Sequence, residues 1–191
     1  QYDYEIFKYP ALSFTGSGQP RVLASVYALD DEGNDAPNGL YYYGCDSGCT
    51  QMSNWDRIYL FNHGSGSVPL PMWDLDLDSA GNPHLALFTG GGADEGIDYQ
   101  LIYLACSGTC MEVSGWRGTV LPMPLHDGQG ADIELDAANH PHIAYMLDNG
   151  DLGYAWCEQS CATMSDHWET TTIETTEAQE SDHSQALPPH C

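Results

Sequence analysis

The chain has 191 residues, and its 28 acidic side chains against 4 basic ones give a formal net charge of −24. So few cations exclude charge-driven binding to nucleic acid or to an anionic lipid surface, and no run approaches the roughly 18 apolar residues of a membrane span. Hydrophobic residues make up 42% of the chain and aromatic residues 11%, so we predict a folded core instead of disorder.

The first predicted element in chain order is a strand in residues 1–9. The run from Tyr2 to Lys8 resembles the last strand of a four-stranded unit from which the other three strands are missing. Such a strand can complete the sheet of another molecule by β-augmentation. We therefore expect residues 1–9 to act as a donor strand.

Residues 10–174 contain three repeats, approximately 10–68, 69–128 and 129–174, and each repeat has four strand-like segments. The first segment alternates polar and apolar residues, which is typical of a half-buried strand, and a turn with proline separates it from the second. The first segments are residues 11–15, 74–78 and 132–136, and the second segments follow Pro20, Pro83 and Pro141. The third segments end at Cys45, Cys106 and Cys157, and the fourth segments begin at Trp55, Trp116 and Trp168.

The repeat predicts an all-β protein made of three four-stranded antiparallel blades like those of a propeller. The first cysteine of the repeat stands at Cys45, Cys106 and Cys157, so the period is 61 and then 51 residues. Propellers usually need at least four blades to close. We therefore expect an open arc or a row of blades, whose exposed edges favour association.

Six of the seven cysteines form three pairs with the spacing C-x3-C. The pairs are Cys45 with Cys49, Cys106 with Cys110, and Cys157 with Cys161. A tight hairpin loop would place the two cysteines of a pair at bridging distance, whereas zinc and iron–sulfur sites usually use C-x2-C. Disulfides are therefore favoured over metal ligation, and they predict an extracellular or cell-surface location.

The last predicted element is a polar, extended arm in residues 175–191. It ends in the unpaired Cys191. An odd cysteine in a secreted protein suggests an intermolecular disulfide. A fourth repeat that this sequence lacks is the alternative explanation.

The motif D-x-x-G-N-P-H, followed by L-x-Y-x-x-C, occurs in the second repeat at residues 78–84 and 101–106. This pattern resembles the blades of secreted bacterial β-propeller-like repeat proteins over about residues 10–174. The resemblance implies the fold and secretion but says almost nothing about activity. The C-x3-C hairpins are an addition to the pattern, and the S-x-D-x-G-x-x-W box of sialidase-type propellers is absent.

Acidic residues form dense clusters of oxygen ligands in the turns and on the first strand of each repeat. Ca²⁺ takes six to eight such oxygens, and alternate residues of a strand share one face. The candidate calcium ligands are Asp30, Asp31, Asp35, Asp74, Asp76, Asp78, Asp132, Glu134 and Asp136. The alternative is hydrated charge with turn-forming aspartates, and no cofactor other than Ca²⁺ is expected.

Histidine and tryptophan recur at fixed places in the repeat. His84 and His142 occupy the same position, where the first repeat has Arg21, which favours a hydrogen-bonded structural role. A soft metal such as copper held by His140 and His142 is an alternative. The tryptophans after each cysteine pair are predicted to pack between repeats, although exposed aromatic rings could also stack on sugars.

No nucleophile elbow, zinc-protease helix or phosphate loop occurs, so we expect no enzyme and nominate no catalytic residue. We expect a secreted structural protein that associates with itself into extracellular filaments or tubes, with cations between its acidic surfaces. The alternative is a monomeric extracellular module that binds a glycan or another surface protein. A hydrolase on the same scaffold is the third hypothesis.

Overall fold

The computed structural model describes residues 4–29, 35–61, 73–89, 100–122, 128–147 and 149–175. The strands are β1 (Tyr4–Phe14), β2 (Pro20–Leu29), β3 (Asp35–Gly44), β4 (Asp56–Phe61), β5 (Trp73–Leu77), β6 (Pro83–Thr89), β7 (Gln100–Cys106), β8 (Trp116–Val120), β9 (Gly128–Leu135), β10 (Pro141–Leu147), β11 (Leu152–Trp156) and β12 (Glu169–Glu174). Short 3-10 turns at Met52–Asn54, Val113–Gly115 and Ser165–His167 precede the last strand of each repeat. Within these ranges, no helix is long and apolar enough to cross a membrane.

The twelve strands form three antiparallel sheets of four strands each. Their orders are β1-β2-β3-β4, β5-β6-β7-β8 and β9-β10-β11-β12, so every strand pairs with its neighbour in sequence. None of these described sheets closes into a barrel. The structure thus confirms the predicted all-β fold with one four-stranded sheet for each repeat.

The first strand is longer than the predicted first segment. β1 runs from Tyr4 to Phe14 and pairs with β2 of the same sheet over its whole length, with a bulge between Lys8 and Ala11. Tyr9 adopts a positive φ of 52°, and Pro10 has no N–H to donate to the ladder, so the bulge falls at these two residues. Residues 4–8 therefore belong to the same strand as residues 11–14, and their donation to another molecule stays a prediction.

The strand register assigns every side chain to one of two sheet faces. In the second sheet, Asp74, Ala86 and Tyr103 are cross-strand partners and share one face, which we call the forward face. Leu75 and Leu85 are partners on the opposite face, which we call the rear face. The forward face of each sheet carries the recurring tyrosine of its third strand, and these residues are Tyr42, Tyr103 and Tyr154.

Successive sheets pack with a forward face against a rear face. The rings of Tyr42 and Trp116 lie 5.3 Å apart between the first and second sheets, at 74° to each other. Tyr103 and Trp168 repeat this edge-to-face contact between the second and third sheets at 5.0 Å and 62°. The prediction that the recurring tryptophan packs between repeats is therefore confirmed for Trp116 and Trp168.

All three predicted disulfides are formed at the mouths of hairpin loops. The Cα–Cα distances are 5.8 Å for Cys45–Cys49, 5.6 Å for Cys106–Cys110 and 5.8 Å for Cys157–Cys161. In each repeat the indole Nε1 of the following tryptophan donates a hydrogen bond to the carbonyl of the second cysteine, at 2.9–3.0 Å. Each bridge therefore also anchors a tryptophan. Cys191 lies outside the described residues.

Candidate functional site

Two of the candidate calcium ligands join the second sheet to the third. β9 is an edge strand, so its outer N–H groups need partners from outside its own sheet. The N–H of Ile133 donates to Asp74 Oδ2 at 3.0 Å, and the N–H of Leu135 donates to Asp76 Oδ2 at 2.9 Å. These carboxylates therefore contribute to the contact between the sheets.

The pKa of Asp74 lies above the ordinary value for an aspartate. Burial disfavours its charged form and raises its pKa to about 6, and the nearby charge of Asp132 acts in the same direction. Hydrogen bonds from the N–H groups of Ile133 and Leu75 oppose this shift without cancelling it. Asp74 is thus a carboxyl group that titrates well above its ordinary range.

Asp78 and Asp136 stabilise the proline turns of the second and third repeats. Asp78 Oδ1 accepts the N–H groups of Ala80 at 2.9 Å and Asn82 at 2.8 Å, and Asp136 Oδ1 accepts those of Ala138 and His140, both at 2.8 Å. Burial works to raise the pKa of Asp78, but the hydrogen bonds from Asn82 and Ala80 lower it overall. The N–H of His140 is the main cause that lowers the pKa of Asp136 to about 2. Both side chains are Asx-turn acceptors.

Of the other candidate calcium ligands, Asp132 comes close to Asp74. The side chains of Asp132 and Glu134 are exposed in β9. Asp30 and Asp31 lie outside the described residues, as does the side chain of Asp35. In the part of the chain that the structure describes, no three His, Cys, Asp or Glu side chains are grouped so as to hold a metal ion, and this includes His140 with His142. Calcium binding stays a prediction.

The recurring histidines make the predicted structural hydrogen bonds. His84 Nδ1 lies 2.5 Å from the hydroxyl of Tyr103, and His142 Nδ1 lies 2.5 Å from that of Tyr154. Burial lowers the pKa of His84 and raises that of Tyr103. In the first repeat Arg21 lies beside Tyr42. Burial raises the pKa of Tyr42 to about 12, and the Arg21 guanidinium acts in the opposite direction without cancelling this shift.

A cleft of about 380 Å³ opens between the second and third sheets, beside the third disulfide hairpin. One wall comes from the forward face of the second sheet, and the other comes from the proline turn and hairpin of the third repeat. The lining residues are His84, Tyr103, Ala138, Asn139, His140, Pro141, Glu158, Gln159, Ser160, Cys161, Ala162 and Thr163. The volume lies within the range of small-molecule sites, and both polar and apolar residues line the walls.

The third repeat has side chains in this cleft at positions where the fold favours glycine. Asn139 has a φ of 64° at the position that Gly18 and Gly81 occupy in the other two repeats. Ser160 has a φ of 58° at the position of Gly48. Asparagine tolerates this left-handed region, but for serine it costs on the order of 1 kcal/mol. The third repeat therefore differs from the others at residues that line the cleft.

A second depression, of about 230 Å³, lies on the other side of the same hairpin. It is lined by Trp156, Cys157, Glu158, Gln159, Asp166, His167 and Glu169. Trp156 occupies the register position of Gly44 and Ala105, and its ring stacks on His142 at 6.4 Å and 9°. Since a small residue suffices at this position in the other sheets, packing does not require the indole. Trp156 is among the aromatic residues that the sequence offers for stacking on a sugar.

Comparisons with known proteins give little further information. No family model matches the chain, and no curated protein matches it. Among solved structures, a fucose lectin from Kordia zhangzhouensis in complex with methyl-fucoside is similar over 87% of this chain and 99% of that chain. The identity is 16% and the TM-score 0.41, which establishes neither a common fold nor a common ligand.

Proposed function

We propose that this protein is an extracellular carbohydrate-binding module of β-propeller type, and that a neutral sugar binds in the cleft between the second and third sheets. The observation that supports this proposal is the set of polar side chains that the third repeat brings to the cleft. These residues are Asn139, His140, Glu158, Gln159 and Ser160. The three disulfides support an extracellular location.

The chemistry of the cleft suits a sugar. The Glu158 carboxylate accepts hydrogen bonds from hydroxyl groups, and the Gln159 amide both donates and accepts them. Apolar contact for the C–H groups of a pyranose ring comes from Ala138 and Ala162, because Tyr103 and Pro141, which also line the cleft, are buried. A net charge of −24 repels anionic sugars such as uronic and sialic acids, so we expect neutral saccharides.

The first test is a glycan array probed with the intact chain, followed by titration calorimetry with the neutral saccharide that binds best. We expect Glu158→Gln and Gln159→Ala each to weaken binding about tenfold. The first replaces a charge-assisted hydrogen bond to the ligand with a weaker neutral one, and the second removes a hydrogen bond. The melting temperature should not change, because both side chains are exposed.

Two matched controls make the test specific. Ser107→Ala changes the residue of the second hairpin that corresponds to Glu158. Trp156→Ala changes a residue that lines the second depression but not the cleft, although both cavities share Glu158 and Gln159. Neither control should affect affinity. Failure to bind any neutral glycan, or equal loss of binding in Trp156→Ala, would exclude the cleft as the sugar site. Filaments, tubes and cation bridges, which the sequence predicts, stay predictions.

A further inference from the structure

The forward face of the third sheet exposes apolar residues whose counterparts in the second sheet are buried. Phe88 and Leu101 are cross-strand partners on the second sheet, with exposures of 4% and 0%. Their counterparts Met146 and Leu152 are 41% and 37% exposed. Tyr154 is half-buried, whereas Tyr103 is buried. The third sheet therefore has an apolar surface of the interface type, on which none of the described residues packs.

The rear face of the first sheet shows the same difference at the other end of the row. Leu12 and Phe14, on β1, are 56% and 57% exposed. Leu75 and Ile133, which correspond to Leu12 in the second and third repeats, are only 4% and 1% exposed. Trp55 is half-buried, while the equivalent Trp116 is buried. This face is the one that would receive a preceding sheet.

We propose that these two faces bind each other between two copies of this chain. Among the described residues, both contacts between successive sheets are forward-on-rear. The two exposed faces are one forward and one rear face. The two exposed faces therefore have the same complementary shapes as the faces that pack together at the two contacts within the chain. Single apolar residues on a surface are ordinary, but matched rows on two faces of known complementarity indicate an interface.

The contact between copies reuses the internal interactions. Tyr154 of one copy packs on Trp55 of the other, as Tyr42 packs on Trp116. Asp132 corresponds to Asp74, and it accepts the outward N–H of Leu12, as Asp74 accepts that of Ile133. Exposed Asp132 thereby gains a partner of the kind that its counterpart already has.

Further polar groups favour the same pairing. Glu134 is the counterpart of Asp76, and it faces the N–H of Phe14 as Asp76 faces that of Leu135. Arg57 lies on the rear face of the first sheet, in register with Tyr43, and it brings positive charge to a forward face that carries Asp132 and Glu134.

Two copies joined in this way form a closed ring of six sheets. A head-to-tail contact closes when its rotation returns to the starting subunit, and six lies within the four to eight blades of known propellers. Both contacts in the ring are identical. Closure leaves no outer face exposed, whereas a longer row would expose one at each end.

The experiment is light scattering combined with size exclusion, and the probe is the intact chain itself. The wild-type protein is expected at about 42 kDa, twice the 20.9 kDa of one chain. Leu12→Glu and Met146→Glu each place a charge on one of the two faces, and each should reduce the mass to that of one chain. Met111→Glu, at an exposed residue of the second hairpin, is the matched control and should stay at twice the mass.

Mixing the two variants tests the head-to-tail geometry. Leu12→Glu retains an intact third sheet, and Met146→Glu retains an intact first sheet, so the mixture contains one unaltered interface. We expect an equimolar mixture to regain the species of about 42 kDa, with weaker affinity than wild type, although each variant alone is monomeric. Pairing of like faces would give no such rescue.

The outcomes separate clearly. A wild-type mass of one chain, or full-size assemblies of Leu12→Glu, would overturn the proposal. A concentration-dependent series of larger species would overturn the two-copy ring. Cooperative thermal unfolding of Leu12→Glu and Met146→Glu, with the circular dichroism of the wild type before the transition, excludes unfolding as the cause of dissociation. The sugar-binding titration is independent of this test, because the cleft lies within one chain.

Discussion

At the scale of single residues, Asp74 shows how one side chain serves two opposed requirements. Its carboxylate accepts an N–H from the edge of β9, but the same contact buries it and raises its pKa to about 6. The pKa of Asp74 is higher in the folded protein than in the unfolded chain, so protonation of Asp74 stabilises the fold. This contribution to the free energy of unfolding is fully present below about pH 4. That stability is lost as the pH rises through about 6.

Asp74→Asn should remove this pH dependence. The amide oxygen still accepts the N–H of Ile133, but no charge is buried at neutral pH. We expect the variant to match wild type at pH 4 and to be more stable by roughly 1 kcal/mol at pH 7, a value reduced for partial exposure. Urea unfolding at both pH values measures this. Asp56→Asn is the exposed control, and a difference independent of pH would contradict the explanation.

At the scale of elements, the close approach of β10 and β11 requires a glycine at one position. Gly153 in β11 lies in register with Tyr145, and a Cβ added at Gly153 would overlap the Tyr145 ring. That ring is buried in the core between the sheets, so it cannot move aside without disturbing its neighbours. Glycine is required here by close approach.

Gly153→Ala is therefore expected to lower the free energy of unfolding by about 1–3 kcal/mol, the usual cost of overpacking. Gly16→Ala, where an added Cβ meets no atom within 4 Å, is the matched control and should change stability by less than about 0.5 kcal/mol. Chemical denaturation of both variants provides the measurement. Equal effects at the two positions would refute the steric argument.

At the scale of the whole molecule, electrostatic repulsion opposes association. Each copy carries a net charge of −24, so two copies repel one another unless salt screens them. We expect the proposed pairing to tighten as NaCl rises from about 20 to about 500 mM, as measured by sedimentation. Weakening with salt would indicate that ion pairs such as those of Arg57 dominate instead.

The same experiment tests the predicted calcium bridges. If Ca²⁺ binds the acidic surfaces, CaCl₂ should strengthen association more than NaCl at equal ionic strength, and EDTA should reverse the difference. Equal effects of the two salts would reduce the role of cations to screening. The described carboxylates of Asp74, Asp78 and Asp136 accept protein N–H groups, and their remaining lone pairs are available to a cation.

Much of the fold could be predicted because the relevant signals are local. Residues 74–78 were expected as a strand, and β5 covers Trp73–Leu77. The C-x3-C spacing predicted hairpin disulfides, and the three bridges formed with only three residues in each loop. The bulge at Tyr9 and Pro10 was not predicted, because pairing with β2 decides whether the strand continues past these residues.

The candidate site was largely beyond sequence reasoning. Asp74 and Asp76 were grouped as calcium ligands because they alternate on one strand, but their partners Ile133 and Leu135 lie 59 residues further along the chain. The cleft depends on how the third hairpin sits against His84 and Tyr103, and no motif encodes that distance.

By itself, the sequence determined the three repeats, the four strands in each and the pairing of six cysteines. These properties follow from residue periodicity and short loops, which need no knowledge of distant contacts. Only the tertiary structure decided which face of each sheet is covered. That outcome depends on the packing of one repeat on the next, so it separates buried Leu75 and Ile133 from their exposed counterpart Leu12.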